Sequence, residues 1–121
     1  MLITGANGRI GSDLVKFFSK KQKVYALYRN VNQINKNLKN KNIIWIKHDL
    51  RNKLKKRIKA KIIIHCAGVH SFSKLNDYEN HIISNIIGLT NLLDFAKKQN
   101  LRKIFHISSI DLIIQIHTYL S

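Results

Sequence analysis

Short apolar runs alternate along the chain with longer polar or amphipathic stretches. Met1–Thr4, Val24–Tyr28, Ile43–Ile46, Ile62–Cys66 and Lys103–Ile107 are each four or five residues long, the length and composition of strands. Ile62–Cys66 is a continuous apolar run but for His65, as a central parallel strand covered on both faces would be. Between the runs the period changes. Arg9–Ser19 carries Ile10, Leu14, Val15, Phe17 and Phe18 at helical spacing. Asn30–Asn42 is rich in Lys and Asn and predicts a short helix and loop. Leu50–Ile58 predicts a basic helix with Leu50, Leu54 and Ile58 on one side. Tyr78–Gln99 predicts one long helix, with Ile82, Ile83, Ile86, Leu89, Leu92, Leu93 and Ala96 at the 3.6 period. Lys97 and Lys98 there suit the negative end of the helix dipole.

Strands alternating with helices imply an α/β domain with a doubly wound parallel sheet of about five strands. The expected strand order is 3-2-1-4-5. Right-handed crossovers then place every strand C-terminus on one edge. The loops after Thr4, Arg29, Asp49, Cys66 and Ser108 open there, and a ligand crevice belongs on that edge. The fifth strand is expected to be a bare edge that invites pairing with other chains, as homo-oligomer or aggregate.

At 121 residues the chain is the size of one domain with a real core. The formal net charge is +16, from 22 Lys and Arg against six acids. Lys far outnumbers Arg, and Ile and Asn are also abundant. All three share A/T-rich codons, and the basic residues are dispersed along the sequence. The excess therefore calls for no nucleic-acid partner. Cys66 is the only cysteine, which excludes an internal disulfide and suits a reducing cytoplasm. No signal peptide is visible and no run is long enough to span a bilayer, so no membrane association is expected.

The densest chemistry is Thr4–Gly11, T-G-A-N-G-R-I-G, lying between a strand pattern and an amphipathic helix. Gly5 allows a tight turn off the strand, Gly8 allows the main chain to approach a ligand, and Gly11 allows the helix to pack closely on the sheet. The N–H groups opening the helix then face an anion such as a pyrophosphate. The second strand ends at Arg29, where many dinucleotide sites carry an acid for the ribose hydroxyls. A guanidinium there suits a 2′-phosphate and favours NADP over NAD, or it is a solvated surface group. Asp49 either accepts from an adenine amino group, with Leu50 against the ring, or caps the helix expected at Leu50–Ile58. His-Cys-Ala-Gly at 65–68 ends the fourth strand with small residues that leave room for ribose and phosphates. His65 reads as a packed core histidine rather than an acid or base. Ser108 and Ser109 follow the fifth strand, where hydroxyls can bond a substrate carbonyl or hydroxyl. Asn85 lies mid-helix, where an amide holds a local bend, holds a water near the site, or faces solvent.

Together these pieces resemble the extended short-chain dehydrogenase/reductase family, the NAD(P)-dependent epimerases and dehydratases of sugar nucleotides. The match runs through T-G-A-N-G-R-I-G at 4–11, D-L at 49–50, H-C-A-G at 65–68, N-I-I-G-L-T-N-L-L-D-F-A-K-K at 85–98 and F-H-I-S-S at 105–109. The resemblance implies a Rossmann-type fold over residues 1–112, with 113–121 an unmatched apolar tail. It implies that Gly5, Asn7, Gly8, Arg9, Ile10 and Gly11 line the pyrophosphate. Arg29 would select the ribose end, Asp49 and Leu50 would hold adenine, and Cys66, Ala67 and Gly68 would pass under the nicotinamide. Asn85 and Ser108 join this cofactor-binding set. Ser109 matches the family residue that polarises the reacting hydroxyl.

The family's proton carrier is a Tyr-x-x-x-Lys pair about 25 residues beyond that serine. No such pair occurs in the 121 residues. Tyr119 has no lysine after it and stands too close to Ser109. The chain thus reads as the NAD(P)-binding N-terminal part of a nucleotide-sugar epimerase, dehydratase or reductase, truncated at the C-terminus, inactive alone and ending in a frame-shifted or read-through tail. The alternatives are a non-catalytic NADP-sensing regulator and a basic nucleic-acid-binding protein. Metal ligation is not expected.

Overall fold

The computed structural model describes residues 1–30, 38–68 and 78–107. Five parallel strands form one sheet: β1 (Leu2–Thr4), β2 (Val24–Tyr28), β3 (Ile43–Lys47), β4 (Ile62–His65) and β5 (Lys103–His106). Their order is β3-β2-β1-β4-β5. Leu2 pairs with both Tyr25 and Ile63, which puts β1 at the centre. This is the doubly wound Rossmann-type arrangement that the sequence predicts. The segments expected at 31–37 and beyond 107 lie outside the described residues.

Both sheet faces are covered, and the two-residue strand period divides the core between them. On one face Ile3, Val24, Ala26, Ile43 and Ile64 are buried with Ala6 and Val15, under helix α1 (Arg9–Ser19). On the other, Leu2, Leu27, Ile46 and Ile63 pack with Leu92, Phe95 and Ala96 of helix α3 (Gly88–Lys98). Each fully buried aliphatic side chain contributes about 1.5–3 kcal/mol of transfer free energy.

Two expected elements differ. Residues 50–58 form no helix, yet Leu50, Leu54 and Ile58 are all buried in the second cluster. A helix here would stack like charges at i, i+4, namely Arg51 on Lys55, Lys53 on Arg57 and Lys55 on Lys59. Each such pair costs about 0.2–0.5 kcal/mol. An irregular path keeps the three apolar anchors inside and lets the cations spread apart. The long helix is also broken. Helix α2 (Tyr78–Ile82) passes into α3 through a π-helical turn at Ile83–Ile87. The wider turn shifts the helical register, so the apolar residues before α3 leave the core-facing stripe. Leu92 and Ala96 are buried as expected, whereas Ile82 and Ile86, which precede α3, are exposed; Leu93, within α3, is exposed as well.

Strands β3 and β5 are the two edges of the sheet, and Phe105 within β5 is exposed. No helix among the described residues is long and apolar enough to cross a membrane.

Candidate functional site

The strand C-termini open onto a cleft of about 210 Å³. Its floor is backbone. Gly5 ends β1 in the left-handed region, with φ 62°. A Cβ on Gly5 would lie 2.7 Å from the Ala67 amide nitrogen, and one on Gly11 would lie 2.0 Å from the Gly5 carbonyl oxygen. Three segments, the turn after β1, the first turn of α1 and the loop after β4, thus meet at separations that only a glycine hydrogen fills. The Gly8 amide closes the turn onto the Gly5 carbonyl at 2.9 Å. Gly8 is also the N-cap of α1 and offers no side-chain acceptor. The first N–H groups of α1, including those of Arg9 and Ile10, are therefore open to an external anion.

The loop after β4 is held from β1. Thr4 Oγ1 accepts from the Cys66 and Ala67 amides at 3.2 and 3.3 Å. Having filled its lone pairs, the hydroxyl donates its proton to His65 Nδ1, 2.7 Å away. His65 is 1 % exposed and stacks on the ring of His106. Burial, helped by the neighbouring His106, pushes its pKa down to about 4, so the ring is neutral with its proton on Nε2. His65 is a positioning residue of the core. Burial pushes the Cys66 thiol up, which keeps it protonated.

The other wall comes from β2 and β3. Asn7 Nδ2 donates to the Asn30 carbonyl at 2.8 Å and ties the glycine loop to the end of β2. Arg29 is exposed on the cleft and adds to the positive potential around Asp49. Asp49 caps no helix, because none follows it. Its Oδ1 accepts from the Arg51 amide at 3.0 Å, and both carboxylate oxygens accept from the Arg51 guanidinium. The Arg51 hydrogen bonds hold the Asp49 carboxyl below the usual carboxylate range.

Of the residues singled out from sequence, Gly5, Asn7, Gly8, Arg29, Asp49, Leu50, Cys66, Ala67 and Gly68 line this one cleft. Gly11 lies beneath it, against Gly5. Arg9 and Ile10 have exposed side chains outside the lining. Asn85 sits in the π-helical turn, its side-chain oxygen close over Gly68. Ser108 and Ser109 lie outside the described residues. The sequence reading missed Tyr28, Asn30, His48, Arg51 and Ser84, which also line the cleft. Only Arg51 carried a signal, a cation two residues after an acid on an expected site loop. The described residues contain no group of His, Cys, Asp and Glu able to hold a metal ion.

A glycine-floored cleft at the C-terminal edge of a parallel sheet, beside an uncapped helix N-terminus, defines a Rossmann-type site for a phosphate-bearing ligand. The chain belongs to the NAD dependent epimerase/dehydratase family, whose sequence model matches residues 1–113. No curated protein sequence matches it. Among solved structures, a UDP-galactose 4-epimerase superposes with a TM-score of 0.79 at 22% identity, covering 90% of this chain and 38% of its own. The L-threonine dehydrogenase of Clostridium difficile gives 0.76 at 32% identity, covering 90% and 36%. The UDP-glucuronic acid 4-epimerase of Bacillus cereus, solved in complex with NAD, gives 0.74 at 24% identity, covering 90% and 39%. The chain thus spans well under half the length of these three structures.

Proposed function

We propose that this chain binds a nicotinamide dinucleotide, NADP in preference to NAD, and supplies the cofactor-binding part of a nucleotide-sugar epimerase, dehydratase or reductase. The observation that carries this reading is the glycine floor, where a Cβ on Gly11 would overlap the Gly5 carbonyl. Such close packing leaves the turn and the helix N–H groups bare for a pyrophosphate. When bound, the nicotinamide accepts or returns a hydride. The chain's own residues bind and orient. Gly5, Gly8 and the first turn of α1, with Arg9, Ile10 and Gly11, take the diphosphate. Cys66, Ala67 and Gly68 face the nicotinamide half, with Asn85 above Gly68. Asp49 and Leu50 border the adenine.

The preference for NADP rests on charge. Among the described residues, the one acid lining the cleft is Asp49, and Arg51 already occupies its carboxylate. Arg29 stands where an acid would accept ribose hydroxyls, and a guanidinium there grips a 2′-phosphate. Residues 1–121 hold no Tyr-x-x-x-Lys pair. We expect binding without turnover from this chain alone, because general acid–base transfer contributes about 10²–10⁴-fold to such rates. An NADP-sensing regulator would use the same cleft without that pair. The lone thiol of Cys66 suits a reducing, cytoplasmic setting, and the exposed β5 edge suits self-association.

Titration calorimetry of the purified chain with NADP, NADPH and NAD tests the reading. Saturable uptake with NADP tighter than NAD is the expected result. Uptake of neither by folded protein would refute dinucleotide binding, and tighter NAD would refute the assignment of Arg29. Turnover of a nucleotide-sugar panel by this chain would refute its inactivity.

A further inference from the structure

The basic residues are scattered in sequence, but the fold collects many of them. All five strands are parallel, so the connections entering them meet on the edge opposite the cleft. Hydrogen bonds join these connections to one another. Asn40 and Asn42 donate to the Ser19 carbonyl at the end of α1, and the Arg102 amide donates to the Lys61 carbonyl at 3.0 Å. The described residues that enter strands β2 to β5 are 20–23, 38–42, 59–61 and 99–102. They hold eight cations, all exposed, and no Asp or Glu. Lys23, Lys61 and Arg102 immediately precede β2, β4 and β5, and Lys41 stands one residue further out before β3; the spatial order is Lys41, Lys23, Lys61, Arg102, with β1 between the middle two. At about 4.8 Å per strand this row spans about 19 Å. The connections leaving the strands look different. Among the residues lining the cleft, Asp49 is paired with Arg51, and Arg29 is the remaining charge.

We propose that this strand-entry edge is a docking surface for the sugar-phosphate backbone of single-stranded nucleic acid. A row of cations along a line fits a linear polyanion better than a compact anion, for which the charges would converge. The edge also lacks what lipid insertion needs. Its apolar residues, Leu38, Ala60 and Leu101, pack inward against the two core clusters. Lysine point charges without groove-reading geometry imply phosphate contact that is tolerant of sequence.

The test is fluorescence anisotropy of a labelled, mixed-sequence single-stranded RNA of about 20 nucleotides, titrated with the full chain over a range of salt. The edge variant combines Lys23→Gln, Lys41→Gln, Lys61→Gln and Arg102→Gln. The charge-matched control combines Lys16→Gln, Lys47→Gln, Lys55→Gln and Lys56→Gln, exposed lysines outside the four strand-entry stretches 20–23, 38–42, 59–61 and 99–102. Removing four phosphate contacts should lower the slope of log K against log salt by about 3 and the affinity at least about tenfold. The control should stay within about twofold of the parent, and saturating NADP should leave RNA bound. Equal losses in both variants would overturn the proposal, because binding would then follow net charge alone. Displacement by NADP would place the RNA in the cleft and overturn it too. So would a failure to bind RNA accompanied by edge-dependent binding to phosphatidylserine vesicles. Circular dichroism of both variants checks that they remain folded. Dinucleotide uptake measured separately keeps this result distinct from that of the proposed cofactor site.

Discussion

The two edges of the sheet are built from the same five strands and solve opposite problems. At the strand C-termini the chain minimises side chain. Gly5 and Gly11 bring backbone against backbone, Thr4 fastens the loop after β4, and Asp49 neutralises Arg51. At the strand N-termini it accumulates exposed cations with no acid among them. Precision at one edge comes from contacts that tolerate no added atom. At the other edge, charge is carried on long lysine stems that tolerate substitution. The contrast predicts where mutation is costly and where it is nearly silent.

The largest effect is expected at the glycine floor. Gly11→Ala sets a methyl 2.0 Å from the Gly5 carbonyl oxygen and must push α1 off the sheet. Thermal unfolding should show a loss of about 3 kcal/mol or more, with dinucleotide uptake abolished. An unchanged melting temperature would mean that the two segments do not meet as described.

Acid should expose the buried support of the same edge. His65 titrates near 4 when folded and near its ordinary 6.5 when unfolded. Between those values the unfolded chain binds the extra proton, so stability is full above about pH 6.5 and falls as pH drops towards 4. The drop attributable to this group is about 3 kcal/mol at most. Denaturant titrations across that range check it, and His65→Gln should flatten the slope.

Smaller changes separate recognition from folding. Arg29→Ser should weaken NADP about tenfold, roughly 1.4 kcal/mol, while leaving NAD within about twofold. Equal loss for both coenzymes would assign Arg29 to the shared part of the ligand. The smallest effects belong to the opposite edge. Lys23→Gln or Lys61→Gln alone should move stability by no more than about 0.5 kcal/mol and leave dinucleotide affinity unchanged. A larger shift in either would show that the two edges are coupled.

Much of the layout was legible because it depends on local periodicity. Helix α1 and strand β2 have the limits read from their apolar spacing, and the glycine trio marks the floor of the cleft by residue type and spacing alone. The helix expected at Leu50–Ile58 was not legible as a failure, since buried anchors four residues apart serve an irregular path as well as a helix. The π-helical turn at Ile83–Ile87 left no trace in a pattern read at a fixed period. Asp49 was placed on the right loop, but its pairing with Arg51 depends on side-chain direction, which a spacing rule does not contain.

By itself the sequence determined the alternation of strand and helix, the parallel sheet and the position of the glycine turn, because each is written in residue type and near-neighbour spacing. Only the tertiary structure decided that Thr4 and His65, 61 residues apart, form one hydrogen-bonded support. Only it decided that cations far apart in the chain, such as Lys61 and Arg102, stand at the feet of neighbouring strands. Those relations come from strand order and crossover direction, which bring distant segments within a few ångströms, and no local pattern encodes that distance.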